Sequence, residues 1–264
     1  MSKDTQQQKQ YRILLIGESC QDVYVFGEVN RISPEAPVPV LKKIKKESKK
    51  GMAGNVFENI KSMTNDKSEI IFYSNDSDQI KKIRFIDEKS NYQIMRYDIE
   101  KEIDSLKIEN LALDSINYDA VVISDYNKGY LTDNIIREVV SKFDNCQIFV
   151  DTKRKDISVF KNCTLKLNEK ESKEVKFQNR TTKIITTLGQ KGCKYLGKNY
   201  PVLKVDVHDV CGAGDVFLAA LVVRWVETKD IVSAIKTANN CAALSVTKLG
   251  CYTISCKEYR SFCN

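Results

Sequence analysis

Short, almost unbroken apolar runs alternate along the chain with segments whose apolar residues recur every three or four positions. Arg12–Gly17 (RILLIG), Ala120–Ser124 (AVVIS), Gln147–Val150 (QIFV) and Lys183–Thr187 (KIITT) predict strands buried on both faces, as in a parallel sheet covered by helices. Asn55–Met63, Asp133–Phe143 and Asn168–Val175 predict the amphipathic helices between them. The rhythm defines an α/β fold with a doubly wound, mostly parallel sheet and helices on both faces.

Two stretches break that rhythm. Val38–Lys46 and Lys82–Asp98 alternate apolar and polar residues at period two, which predicts half-exposed strands. Paired beside the main sheet they would form a small β lid, within about 20–46 and 82–98. The lysines at 42, 43, 45, 46, 49 and 50 then read as its solvated edge. The polar opening, residues 1–10, predicts a flexible N-terminal arm, and residues 11–264 a single domain.

Composition narrows the chemistry. His208 is the only histidine, which excludes Ser-His-Asp, Cys-His and multi-histidine metal sites. The nine cysteines include no C-x-x-C pair, so structural zinc is not expected and a reducing, cytoplasmic setting is. No apolar run reaches membrane-spanning length and no signal-peptide pattern opens the sequence. The net charge of +7 suits anionic small molecules and equally suits a lysine-rich composition without functional content. No nucleic-acid-binding module accompanies it.

The most informative segment is His208-Asp209-Val210-Cys211-Gly212-Ala213-Gly214-Asp215, followed by the apolar VFLAALVVRWV. Gly212, Ala213 and Gly214 stand where a loop becomes the N-terminus of a buried helix, where unpaired N–H groups and the helix dipole favour an anion. Asp215, in the first turn, is placed to take a proton from a hydroxyl beside that anion. The same Asp could simply stabilise its own helix start, and the motif alone leaves both readings open. Neither a P-loop nor a G-x-G-x-x-G dinucleotide fingerprint occurs.

Asp209-Val210-Cys211-Gly212-Ala213-Gly214-Asp215 resembles the D-x-T-G-A-G-D signature of the ribokinase-like (PfkB) carbohydrate kinases, and other landmarks follow in order. Asp22 matches an Asp that holds sugar hydroxyls. Gly51-Met52-Ala53-Gly54-Asn55 resembles a G-G-x-x-N element whose Gly51 and Asn55 face the sugar. Asn168-Glu169-Lys170-Glu171 is similar to the N-x-x-E motif, implying that Asn168 and Glu171 organise magnesium and phosphate, largely through water. Thr187, Gly189 and Gly192 resemble the nucleotide loop, and Asn239 stands where an Asn lines the adenine pocket.

Within the family, Arg31–Val40 (RISPEAPVPV), Ser124–Gly129 (SDYNKG), Asp151-Thr152-Lys153 and Lys248-Leu249-Gly250 resemble the D-glycero-β-D-manno-heptose 7-phosphate kinases, the kinase halves of ADP-heptose synthases. The resemblance implies transfer of the γ-phosphoryl group of ATP, with Mg2+, to the anomeric hydroxyl of a sugar phosphate. Arg31, Lys128 and Lys153 are then candidates to seat the substrate's own phosphate, and each also reads as an ordinary surface ion pair. Pairing of lid strands between subunits, common in the family, would make a homodimer.

The chain departs from the pattern at Cys211 (usually Thr), at Met52 (usually Gly), at Glu18-Ser19, and between Asn55 and Lys82. There only a short strand, Glu69–Tyr73, and a polar turn, Ser74–Gln79, are expected, with one sheet edge trimmed and in need of cover. Two rival readings follow: a kinase for another sugar or nucleoside, and a catalytically idle relative acting as a binding protein.

Overall fold

The computed structural model describes residues 10–111 and 117–263, so residues 1–9 of the expected arm lie outside it. In chain order the elements are β1 (Arg12–Gly17), β2 (Ser19–Ile32), β3 (Pro39–Met52), α1 (Ala53–Met63), β4 (Glu69–Tyr73), β5 (Ile80–Asp87), β6 (Tyr92–Glu100) and β7 (Ala120–Asp125). They continue with α2 (Asp133–Lys142), β8 (Ile148–Thr152), β9 (Cys163–Asn168), α3 (Glu169–Glu174), β10 (Lys183–Thr187), β11 (Cys193–Tyr195) and β12 (Lys198–Tyr200). Three helices close the described chain: α4 (Ala213–Thr228), α5 (Ile231–Ser245) and α6 (Cys256–Ser261).

The main sheet has eight strands in the order β12-β11-β10-β9-β8-β7-β1-β4. It is parallel from β4 to β10, and only β11 and β12 run antiparallel. Its central strands are buried along nearly their whole length because alternate residues feed two cores. Ile13 and Leu15 join α1, α4, α5 and α6 on one face, while Leu14 and Ile16 join α2 on the other. Helix α4 packs against both α1 and α5, so its apolar residues surround it and Val216–Val223 are all buried. That burial fixes the N-terminus of α4, and with it Asp215, at the top of the sheet.

The lid is a second sheet, with strand order β3-β2-β5-β6. It differs from the expected pairing in one respect. The segments around 38–46 and 82–98 do not pair with each other, because β2 lies between them, antiparallel to β3 and parallel to β5. The stretch from Lys82 to Asp98 holds lid strands as expected, as a hairpin turning at 88–91, with Asn91 at φ 57°. Strand β2 escaped the period-two reading because its first half, at the base of the lid, is buried on both faces, including Asp22, Val23 and Tyr24. The lysine-rich β3 is an edge strand of the lid, and its Lys42–Lys46 stretch is exposed, as expected. Strand β4 ends the main sheet and pairs only with β1, so one edge of the sheet lies there.

Candidate active site

Asp215 is buried and held by two donors from different elements. Asn55 Nδ2, on α1, donates to Oδ2 at 3.0 Å, and the hydroxyl of Tyr126, just after β7, donates to Oδ1 at 2.8 Å. Burial raises the Asp215 carboxyl to about 6, and the nearby Asp151 carboxylate adds to that; the Asn55 and Tyr126 hydrogen bonds and Lys166 oppose it. Gly212 begins the helix in the left-handed conformation, φ 73°, and a Cβ there would stand 2.6 Å from Asn55 Nδ2. Glycine therefore permits both the turn and the close passage of Asn55.

The backbone of the expected anion hole is partly committed. The Ala213 N–H donates to the Val210 carbonyl at 3.3 Å, and no side chain caps the helix. The N–H groups at Gly214 and Asp215 thus carry the positive end of α4 towards a cavity of 860 Å³. Tyr126, Asp151, Lys153, Lys166, Asn168, Thr187, Gly189, Gly212, Gly214 and Asp215 are among its lining residues. Sequence positions 126 to 215 meet here because β7, β8, β9 and β10 all end at the same edge of the sheet, as parallel strands must.

A buried ion pair underlies that cavity. Lys166 Nζ, on β9, lies 2.5 Å from Asp151 Oδ2, and a Cβ on Gly214 would be 2.7 Å from the same ammonium. Asp151 Oδ1 has no hydrogen-bond partner, although Lys153 Nζ lies 3.6 Å away. Neither Asp151 nor Lys166 was assigned a role from sequence. Lys166 was hidden in a strand (β9) that the apolar pattern did not reveal.

A second polar cluster is built around Asp22, also buried. Arg84, on β5, forms a short ion pair with its Oδ1, and both side chains are almost inaccessible. Gly51 faces Asp22 so closely that a Cβ would stand 2.0 Å from Oδ2. Arg84 went unnoticed because period two placed it on a lid strand and nothing in sequence linked it to Asp22. Glu18, read as a departure, has a definite function: buried under the Tyr126 loop, it accepts the N–H groups of Tyr126 at 2.7 Å and Lys128 at 3.2 Å.

The three expected phosphate seats separate. Lys153 lines the cavity, with Nζ 2.5 Å from Glu171 Oε1 and 5.2 Å from the centre of the Tyr126 ring. Lys128 instead reaches the lid, both Glu100 oxygens at 2.6 Å from its Nζ. Arg31 is exposed at the distal end of β2, away from the cavity lining. Lys82, on the lid, was not singled out, yet its Nζ stands 5.3 Å from the Tyr126 ring centre.

At the N-terminus of α3, Asn168 and Glu171 form a capping box: Asn168 Oδ1 accepts the Glu171 N–H at 2.8 Å and Glu171 Oε2 accepts the Asn168 N–H at 2.7 Å. Asn168 lines the cavity, whereas Glu171 stands behind it on Lys153. Thr187 and Gly189 line the cavity as well. Gly192 lies just beyond, in a turn where a Cβ would meet the Tyr200 carbonyl at 2.0 Å. Asn239 is buried on α5 and donates to the carbonyls of Tyr200 at 3.0 Å and Pro201 at 3.3 Å, which ties down the segment after β12 rather than lining this cavity.

A doubly wound sheet with a lid, and a buried carboxylate at a helix N-terminus above a cation-lined cavity, make up a ribokinase-like fold and its candidate site. A sequence profile described as pfkB family carbohydrate kinase matches residues 156–258. Bifunctional protein HldE of Campylobacter jejuni strain RM1221 is 31% identical over 97% of the chain, and that of a Nitratiruptor species is 33% identical over 95%. The chain spans 65% and 64% of those relatives' own lengths, a little under two thirds. Among solved structures, ribokinase from Thermotoga maritima superposes with a TM-score of 0.71 at 19% identity, covering 96% of this chain and 99% of that one. Phosphofructokinase-2 from Escherichia coli gives 0.73 at 13%, covering 96% and 97%. Over residues 156–258 the chain resembles the pfkB family of carbohydrate kinases, and its fold is the one shared by ribokinase and phosphofructokinase-2.

Proposed function

We propose that the protein phosphorylates the anomeric hydroxyl of a sugar phosphate, D-glycero-β-D-manno-heptose 7-phosphate, to give the 1,7-bisphosphate. The observation that carries the chemistry is the buried Asp215 carboxylate, oriented by Asn55 and Tyr126 at the first turn of α4 and facing the cavity. A carboxyl raised to about 6 is ionised at neutral pH yet basic enough to accept the hydroxyl proton as the nucleophile forms. The α4 N-terminus and Lys166 stabilise the charge that develops on the transferring group. Asp22, paired with Arg84, still has carboxylate lone pairs for sugar hydroxyls, and Asn55 links the acceptor side to the base.

ATP lies along the Thr187–Gly189 side of the cavity in this reading. The donor set suits Mg2+: Asp151 has a buried oxygen without a hydrogen-bond partner, and Asn168 offers a further oxygen-bearing side chain at the wall. Bound there with ATP, the ion would neutralise phosphate charge; Asp151 and Asn168 would hold it, with Glu171 acting through water. Lys153 and Lys82 are placed to meet the acceptor's phosphate. The choice of heptose rests on the resemblance of 31–40, 124–129, 151–153 and 248–250 to heptose 7-phosphate kinases. Lid residues Ile32, Val38, Ile44, Tyr92, Met95 and Tyr97 are exposed apolar groups, which supports a homodimer through the lid. No helix among the described residues is long and apolar enough to cross a membrane.

ADP release with Mg-ATP, compared across heptose 7-phosphate, ribose, fructose phosphates and adenosine, tests the proposal. Turnover confined to the heptose phosphate is the expected result. Turnover with another acceptor would discard the substrate and keep the mechanism, and silence with every acceptor would discard both.

A further inference from the structure

Beside the base, on the acceptor side, two thiols face each other. Cys211 Sγ and Cys251 Sγ are 3.4 Å apart, although 40 residues separate them in sequence. Asp209 holds their loops together: its Oδ1 accepts the Cys211 N–H at 2.9 Å and its Oδ2 the Gly250 N–H at 2.8 Å. The two sulfurs are chemically unequal. Arg84 Nη2 donates to Cys211 Sγ at 3.2 Å, while Cys251 Sγ is 3.3 Å from the carboxylate oxygen Asp22 Oδ2. Cys211 is thus held below the usual thiol range, first by the hydrogen bond from Cys251 and, against burial, by Arg84; Cys251 is pushed up by that same hydrogen bond, by burial and by Asp22. Cys211 is half-buried and within reach of a small oxidant, whereas Cys251 is buried behind it.

We propose that Cys211 and Cys251 are a modification site: hydrogen peroxide converts them to a disulfide, a dithiol reverses it, and the bond shuts the acceptor side of the active site. The Cys211 thiolate attacks one peroxide oxygen; the S–O bond forms, the O–O bond breaks, and the departing hydroxide takes a proton to become water. Cys251 then attacks the sulfenic sulfur; the S–S bond forms, the S–O bond breaks, and the hydroxyl leaves as water with the Cys251 proton. Two thiols are oxidised and one peroxide is reduced to two waters.

The bond draws together sulfurs that now touch Arg84 and Asp22, so Asp22 loses its S–H neighbour and Arg84 its sulfur partner. It also ties the residue before Gly212 to the Gly250–Cys251 turn, which stiffens the entry to α4. Asp22, Cys211 and Cys251 lie within 4.8 Å of one another and could hold a soft metal, but the Arg84 guanidinium already supplies the positive charge in that space. The inhibitory consequence rests on the kinase reading above; the disulfide itself does not.

The test treats the full chain with graded hydrogen peroxide, alkylates the remaining thiols and maps disulfide-linked peptides by mass spectrometry. The expected result is one 211–251 link, loss of two of the nine free thiols, and full reversal by dithiothreitol. Amide exchange across 212–215 should slow in the oxidised protein, and turnover should fall by roughly tenfold or more as the acceptor side is misplaced. Cys251→Ser should abolish the link, while Cys256→Ser and Cys263→Ser should keep it. Oxidation of other cysteines without a 211–251 link would overturn the proposal, as would protection of both thiols by one equivalent of zinc. A link that leaves both amide exchange and turnover unchanged would overturn the shutting role. If the reduced protein turns over no acceptor, the link map and amide exchange still decide, so this idea and the kinase reading fail separately.

Discussion

Asn55, in the first turn of α1, donates a hydrogen bond to Asp215, in the first turn of α4, at 3.0 Å across 160 residues of sequence. Asn59, one turn further along α1, in turn donates to the Asn55 side-chain oxygen at 3.0 Å and so fixes which way the Asn55 amide points. The Asp215 carboxylate is therefore aimed by a chain of amides that starts inside the core.

Activity should consequently depend on pH through this group. Because the Asp215 carboxyl is raised to about 6, turnover should climb as pH rises through about 6 and level off above 7. Asn55→Ala and Tyr126→Phe each remove a donor to the ionised form. The acid limb of a kcat/KM profile should move to higher pH in both variants; an unmoved limb would remove Asp215 from the role of base.

The same burial makes Asp215 a cost to the fold at neutral pH. Its carboxyl is raised from 3.8 to about 6, so the folded state binds a proton more tightly than the unfolded chain does. Stability is then lowered as pH rises from about 4 to 6 and stays lowered above, by on the order of 3 kcal/mol. Asp215→Asn should lose nearly all turnover yet melt several degrees higher than the parent at pH 8, and that gain should vanish towards pH 4. Melting curves at the two pH values check this; a variant that melts lower at pH 8 contradicts it.

How much of this was legible in the sequence depended on whether the signal was local. Strands β1, β7 and β8 and helices α1 and α2 could be placed to within a residue or two, because burial on both faces or on one stripe writes a continuous pattern. The glycine-flanked Asp215 was legible for the same reason, as glycines mark a helix start. Arg84, Tyr126, Asp151 and Lys166 were not assigned, because each acts through a partner far away in sequence, with no local period to betray it. The lid misled because a buried strand, β2, lies between the two segments whose alternation was visible.

Arg84 and Asp22 form a buried pair, so removing one partner should be worse than removing both. Arg84→Met alone leaves an uncompensated buried carboxylate and should cost roughly 3–5 kcal/mol in urea unfolding. Arg84→Met with Asp22→Asn should recover much of that loss. Equal destabilisation in the single and double variants would mean the pair is not coupled.

The separation of the three cations has a kinetic counterpart. Lys153→Met should raise KM at least several-fold, since Lys153 lines the cavity. Arg31→Ala, at the exposed distal end of β2, should stay within about twofold of the parent, as surface charges do. A large rise in KM for Arg31→Ala would bring that end of the lid into the substrate site.

The most direct test of the central claim is a phosphorus-31 NMR time course with Mg-ATP and heptose 7-phosphate, run on the parent and on Asp215→Asn. The account predicts a new anomeric phosphate signal growing in step with ADP for the parent, and at least a hundredfold slower growth for the variant at equal folding. Comparable rates in the two proteins would contradict it, because Asp215 could not then be the group that activates the acceptor hydroxyl.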